Sequence, residues 1–327
     1  MRSLAGLLLA ACGPPRGAIA PATSPGASPP LKLDPLIDLV AAGGLVWLLD
    51  LRPHELLAAP AVRAAVAEVV PAARFEAFAR YHGGVDLRAL DELAIAAYPR
   101  ASLALARGAI DPDRVEAAFA ARADPVEGRA REGRVRRVWG PVRGEPRAVA
   151  VLGAEGVALE RGAPGPLRAA VYFAEERLRR SLPALRAAPL ATIAPQAGDG
   201  PIRAFAPGPF ESDRAGGLAG LLRAATAVAL TARPWPAAPE GCIAVRIVLS
   251  GAWGNDAGAA AERIRSAFGV LAADLLGRLT GLDAPRSGPT VSGDADAIRL
   301  EVALDLAALA RGLHTVMDAS LEEMMAD

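Results

Sequence analysis

The side chains of this 327-residue chain that could do covalent chemistry are few and scattered. Ser250 stands in Val248-Leu249-Ser250-Gly251-Ala252, at the end of an apolar run and before a turn and a helix, where a nucleophile elbow would sit. The glycine two positions earlier that lets such an elbow turn tightly is missing, so the segment reads as an ordinary strand end. His54, His82 and His314 are far apart, and none has a second His or Cys at ligand spacing. His82 precedes Asp86 and Asp91 closely enough for a carboxylate-paired imidazole, although a surface or turn position is the commoner setting. Asp294 and Asp296 lack the further oxygen donors of a calcium loop and read as a hairpin turn. Gly-x-Ser-x-Gly, His-Glu-x-x-His, Cys-x-x-Cys and a lysine-ended phosphate loop are all absent. The expectation is a chain with no catalytic residue, no cofactor set and no metal set.

The two thiols are Cys12 and Cys242. Cys242 opens the apolar run Cys242-Ile243-Ala244-Val245, where a buried, inert thiol is expected. Cys12 has a different setting. Met1-Arg2-Ser3 is followed by an apolar stretch from Leu4 to Ala11, too short to cross a bilayer, which needs roughly 20 apolar residues. A charged start, a short apolar run and small residues before the cut form an export signal. Leu9-Ala10-Ala11-Cys12 resembles the lipobox of bacterial lipoproteins. The resemblance implies that residues 1–11 are a signal peptide, and that the Cys12 thiol carries a diacylglyceryl group and the new amino terminus a further acyl chain such as palmitate. Two or three chains hold a protein stably on a membrane, where one holds it marginally. Gly13, in place of the aspartate that marks inner-membrane retention in this class, points to the outer membrane. Residues 12–30 hold little but Gly, Pro, Ala and Ser after the cysteine and read as a tether.

The elements that would position any chemistry follow from periodicity. Strands are expected at 44–51, 93–98 and 102–107, with a helix over 60–81 broken at Pro71. Asp111-Pro112 opens a helix to about Ala121, aspartate at the N-cap and proline at the first helical position. Strands at 134–139, 148–152 and 157–160 precede a helix over 167–182, and strands at 202–205 and 226–232 follow. The last third repeats the opening order: a strand at 242–250, a helix over 256–279, strands at 290–292 and 298–304 joined through Gly293-Asp294-Ala295-Asp296, and a helix capped by Asp305. Both long helices end in Gly-aliphatic-Asp, at Gly84-Val85-Asp86 and Gly281-Leu282-Asp283, where glycine supplies a left-handed cap. The fold expected is α+β, mainly antiparallel sheets with long helices packed on one face, with residues 44–121 and 242–317 as copies of one β-α-β-β-α unit. The domains are then 31–195 and 196–327.

Composition bounds the partners. Lys and Arg number 36 and Asp and Glu 36, which gives no electrostatic argument for nucleic acid. One basic cluster, Arg129, Arg131, Arg134, Arg136 and Arg137 with Arg143 and Arg147, could meet anionic headgroups or an envelope polymer, though a solvated strand and loop is the commoner meaning. Trp47, Trp139, Trp235 and Trp253 stand on separate elements, where they could line a cleft or pack. The layout as a whole resembles internally duplicated envelope lipoproteins of GC-rich bacteria, a likeness that transfers no activity. It implies a non-catalytic binding or scaffolding protein, held to the membrane through lipid on Cys12, whose partner is an envelope protein or an apolar ligand. The alternatives are a carrier or sensor of an apolar ligand and a periplasmic hydrolase.

Overall fold

The computed structural model describes residues 30–177, 181–210, 220–234 and 241–315. Cys12, the tether up to residue 29 and Trp235 lie outside the described residues. After a 3₁₀ turn at Leu36–Leu39, the chain runs through β1 (Trp47–Leu51), α1 (Pro53–Ala58), α2 (Pro60–Val69), α3 (Ala72–Tyr81), β2 (Glu92–Tyr98), β3 (Ala101–Arg107) and α4 (Pro112–Ala120). A meander of β4 (Gly128–Glu132), β5 (Val135–Val142), β6 (Glu145–Leu152) and β7 (Gly156–Gly162) leads to α5 (Pro166–Ala174) and α6 (Leu190–Ala197). Then come β8 (Ile202–Pro207), α7 (Leu221–Ala224), β9 (Ala225–Pro234), β10 (Cys242–Gly251), α8 (Ala257–Ala273), α9 (Leu275–Leu279), β11 (Ser287–Gly293) and β12 (Ala297–Asp305), before α10 over 306–315.

The fold is α+β around one antiparallel sheet of 12 strands, in the order β11-β12-β10-β9-β8-β1-β2-β3-β7-β6-β5-β4. Alternation along each strand sends side chains to two faces. On one face Leu48, Ala96, Leu103, Ala150, Phe205 and Val248 meet the 3₁₀ turn at Leu36–Leu39, α5 and α6. On the other, Val149 and Val151 meet α4 through Val115 and Phe119, and Leu300 and Val302 meet α8 through Ala260 and Ile264. The longest helix, α8, thus lies on one face, while short helices close the other.

The element order expected for 44–121 and 242–317 is present in both segments, but the pairings differ. After α3, the first strand of the hairpin, β2, pairs with β1. After α8 it is the second strand, β12, that pairs with β10, leaving β11 outside. Strand neighbours put the correspondence two strands later: β1-β2-β3-β7-β6 matches β8-β9-β10-β12-β11 outward from the central β1·β8 pair. In this frame α4 follows β3 as α8 follows β10, and the hairpin β4–β5 is an addition to the first half. The registry error came from the Gly-aliphatic-Asp exits, which mark helix ends wherever they occur. Both glycines do adopt the left-handed conformation, Gly84 at φ 92° and Gly281 at φ 75°.

Among the described residues the three buried carboxylates all lie on the α5–α6 face, and each fastens a different element. Glu92 accepts the Leu36 N–H at 2.8 Å and so holds the 3₁₀ turn. Glu160 accepts the N–H groups of Gly165 (3.0 Å) and Leu167 (2.8 Å) at the start of α5. Asp50 accepts Arg203 Nη2 at 2.5 Å and Nε at 2.9 Å across the β1·β8 seam.

Candidate functional site

The residues with chemistry to offer do not converge. Ser250 is buried at the end of β10 between its strand partners Ala227 and Ala297, and its carbonyl accepts the Thr226 hydroxyl at 3.1 Å. No base stands among those partners. His82 ends α3 and stacks on Phe78 (ring centroids 4.2 Å apart) and against the edge of Tyr81 (4.9 Å). The alternative of an Asp86 partner is not realised: Asp86 is taken by Arg88, which it bonds at 2.9 and 3.0 Å. Burial, reinforced by Arg122 and Arg147, instead pushes the His82 imidazole down from 6.5 to about 4. His54 sits in the first turn of α1, its N–H bonded to the Leu90 carbonyl. His314 lies on α10. Asp294 makes the hairpin turn, accepting the N–H groups of Asp296 (3.0 Å) and Ala297 (2.9 Å) and pairing with Arg299. Cys242 is a buried free thiol. Among the described residues no group of three or more His, Cys, Asp or Glu could hold a metal ion, and no helix is long and apolar enough to cross a membrane.

The three described tryptophans stand apart. Trp47 is exposed on β1, on the face opposite Leu48, and Trp253 is buried beneath α8. Trp139 on β5 is 36% exposed on the α5–α6 face. Its indole leans across the neighbouring strand, where a Cβ at Gly128 would come within 2.2 Å of indole Cζ2. The missing side chain at Gly128 is therefore what lets the ring lie flat on the sheet.

Beside that ring opens a cleft of about 510 Å³. Arg137, Trp139 and Ala148 contribute its sheet side, Gly165 and Arg168 at the start of α5 its opposite wall, and Glu160 its depth. Glu160 is 5% exposed, and burial raises its carboxyl above the usual carboxylate range. Its Oε1 carries both backbone hydrogen bonds, and among the described residues Oε2 receives none. Of the seven arginines in the basic cluster, Arg129 and Arg136 pair with α4 through Glu116 and Asp113, and Arg147 pairs with Glu145. Arg131, Arg134, Arg137 and Arg143 form no salt bridge with a described residue. Arg168 across the cleft forms none either. The sequence announced the arginines and Trp139 but not their meeting with Glu160 and Arg168, which come from other elements.

Two further hollows lie on the opposite face. A groove of about 360 Å³ runs among α1, α2 and α3, lined by Leu57, Val66, Val70 and Phe75. A smaller apolar gap of about 70 Å³ lies between Phe78, Phe119 and the sheet.

No family model matches the chain. A search of curated proteins also finds no match. Among solved structures, the one titled "Structure of crystal form I of TP0453" aligns over 86% of this chain and 99% of that one, with 12% identity and a TM-score of 0.49.

Proposed function

We propose that the protein is a lipid-anchored lipoprotein of the bacterial envelope with a non-catalytic binding role, held through Cys12 to the outer membrane. The observation that carries the reading is Leu9-Ala10-Ala11-Cys12 followed by a Gly, Pro, Ala and Ser tether. The described fold takes up the chain directly after that stretch: Lys32 N–H bonds the Ala174 carbonyl at 2.8 Å and Leu33 is buried against Gly156. An open cleft with an exposed aromatic ring and two arginines without a salt bridge among the described residues suits binding better than turnover, since no nucleophile and base of the described residues meet there. Feeding cells an alkynyl palmitate and weighing the extracted protein tests the anchor. The expected product starts at Cys12, carries acyl mass and label, and leaves the membrane fraction on Cys12→Ser; an unmodified Cys12 thiol in envelope-extracted protein overturns it.

The α1–α3 groove supports a second reading, a carrier of an apolar ligand. Its walls are largely apolar, and neither α1 nor α3 contributes a buried side chain, so both are only loosely committed to the core. Saturable uptake of a fluorescent fatty acid, lost on Val66→Glu, is the outcome this reading requires.

A further inference from the structure

We propose that the Trp139 cleft binds an acidic glycan chain. The proposal deepens the binding role above by naming a partner class, and it does not depend on the lipid anchor.

An aromatic ring with one face open stacks on the apolar C–H face of a sugar ring. Trp139 offers such a face, and Gly128 keeps the indole laid down on the sheet. The cations come next. Arg137 and Arg168 flank the cleft from opposite walls without salt-bridge partners among the described residues, so their donors are available to carboxylates. Arginine meets a carboxylate with two parallel hydrogen bonds, which fixes orientation as well as charge. Arg134 and Arg143 stand in the turns at the two ends of β5, whereas Arg131 points with Arg136 to the α4 face; Glu127 is the acidic residue at the cleft rim, against which Arg137 and Arg168 set the cations.

The buried carboxylate selects among anionic polymers. Glu160 Oε2 accepts hydrogen bonds and donates none while ionised, and sugar hydroxyls supply donors on every ring. A nucleic acid strand would stack successive bases on several aromatic rings, and this cleft has a single one. The volume of about 510 Å³ lies within the usual range of ligand sites, about 300–1,000 Å³.

The test uses the full chain carrying Cys12→Ser, so that lipidation cannot influence the result. Short oligogalacturonates serve as the acidic glycan and dextran oligomers of equal length as the neutral one, with binding followed by calorimetry at low salt. Saturable binding to oligogalacturonate, weakening with added salt and at least about tenfold stronger than to dextran, is expected. Trp139→Ala and Gly128→Val should each weaken it by about tenfold or more, the second by lifting the ring without removing it, and Trp139→Phe should retain most of it. Arg137→Ala with Arg168→Ala should weaken it comparably and flatten the salt dependence. Unchanged circular dichroism of each variant ties the loss to the cleft. The proposal is overturned by no binding, by equal binding of dextran, by equal or tighter binding of single-stranded DNA or anionic vesicles, or by affinity indifferent to Trp139 and Gly128. None of those outcomes touches the anchor, and failure of the anchor leaves this binding measurable.

Discussion

The two halves of the sheet share a strand order and finish differently. Outward from the β1·β8 seam, the second half ends at β12 and β11, and every arginine on β10 and β12 is matched: Arg246 pairs with Glu301 and Arg299 with Asp294. The first half continues past the equivalent strands into β5 and β4, and on that added hairpin Arg137 finds no salt bridge among the described residues while Trp139, on the same face, stays open. A surface whose charges are internally neutralised presents little to a partner. One whose arginine and aromatic ring are left over is the face to probe first, and it lies on the element that one half has and the other lacks.

If the halves are equivalent at their cores, matched truncations should cost similar amounts. Phe119, 1% exposed in α4, and Ile264, 6% exposed in α8, fill the same helix-on-sheet role. Phe119→Ala is expected to cost about 4 kcal/mol and Ile264→Ala about 3 kcal/mol in denaturant unfolding. A cost below about 1 kcal/mol at either site would break the equivalence, because that helix would then not be closing its half of the core.

The seam is the next test. Asp50 is 1% exposed, and its removal strands the Arg203 guanidinium in a largely buried position. Asp50→Ala should lower stability by about 3 kcal/mol, less than a fully buried pair would lose because Arg203 keeps some access to water. If the halves are held mainly by the backbone ladder, the loss will be small, and the two will unfold together regardless.

Acid should separate the halves more gently. His82 lies in the first half, and its pKa falls from 6.5 to about 4 on folding. Between those values the unfolded chain takes up a proton that the folded chain refuses, so His82 lowers stability as pH drops from about 6.5 toward about 4. Hydrogen exchange should show protection falling first around α3 and α4, and His82→Phe should remove that part of the pH dependence. Equal loss of protection in both halves would assign the acid sensitivity elsewhere.

Much of the frame was legible because local signals carried it. Asp111 caps α4 by accepting the N–H groups of Asp113 and Arg114, as the Asp-Pro pair predicts. Asp305 caps α10 through Ala308. The strand from Cys242 to Gly251 follows its apolar run. What escaped was non-local or disguised. Gly128–Glu132 reads Gly-Arg-Ala-Arg-Glu, with no apolar alternation, yet forms β4 because β5 offers it a partner. Leu190–Ala197 contains Pro195 and follows Pro189, so its helical period was hidden. The expected helix over 167–182 stops at Ala174, followed by Glu176 at φ 54°, and that over 256–279 breaks at Asp274, whose backbone is extended at φ −67°, ψ 162°. The β1·β8 seam joins residues some 150 positions apart and has no sequence signature. The cleft shares that limit, since Trp139, Glu160 and Arg168 are brought together only by the meander and α5.

An open sheet leaves two outer strands whose backbone groups face solvent, and copies of the protein brought together at high concentration meet along them. Strand-to-strand growth between neighbours is the hazard. At one margin β11 carries Pro289, which has no N–H to give, and its register with β12 shifts between Ser287 and Thr290. At the other, β4 presents Arg129, Arg131 and Glu132 over only five residues. An irregular, proline-bearing rim and a short, charged one both pair poorly, so neighbouring molecules resist joining into a common sheet.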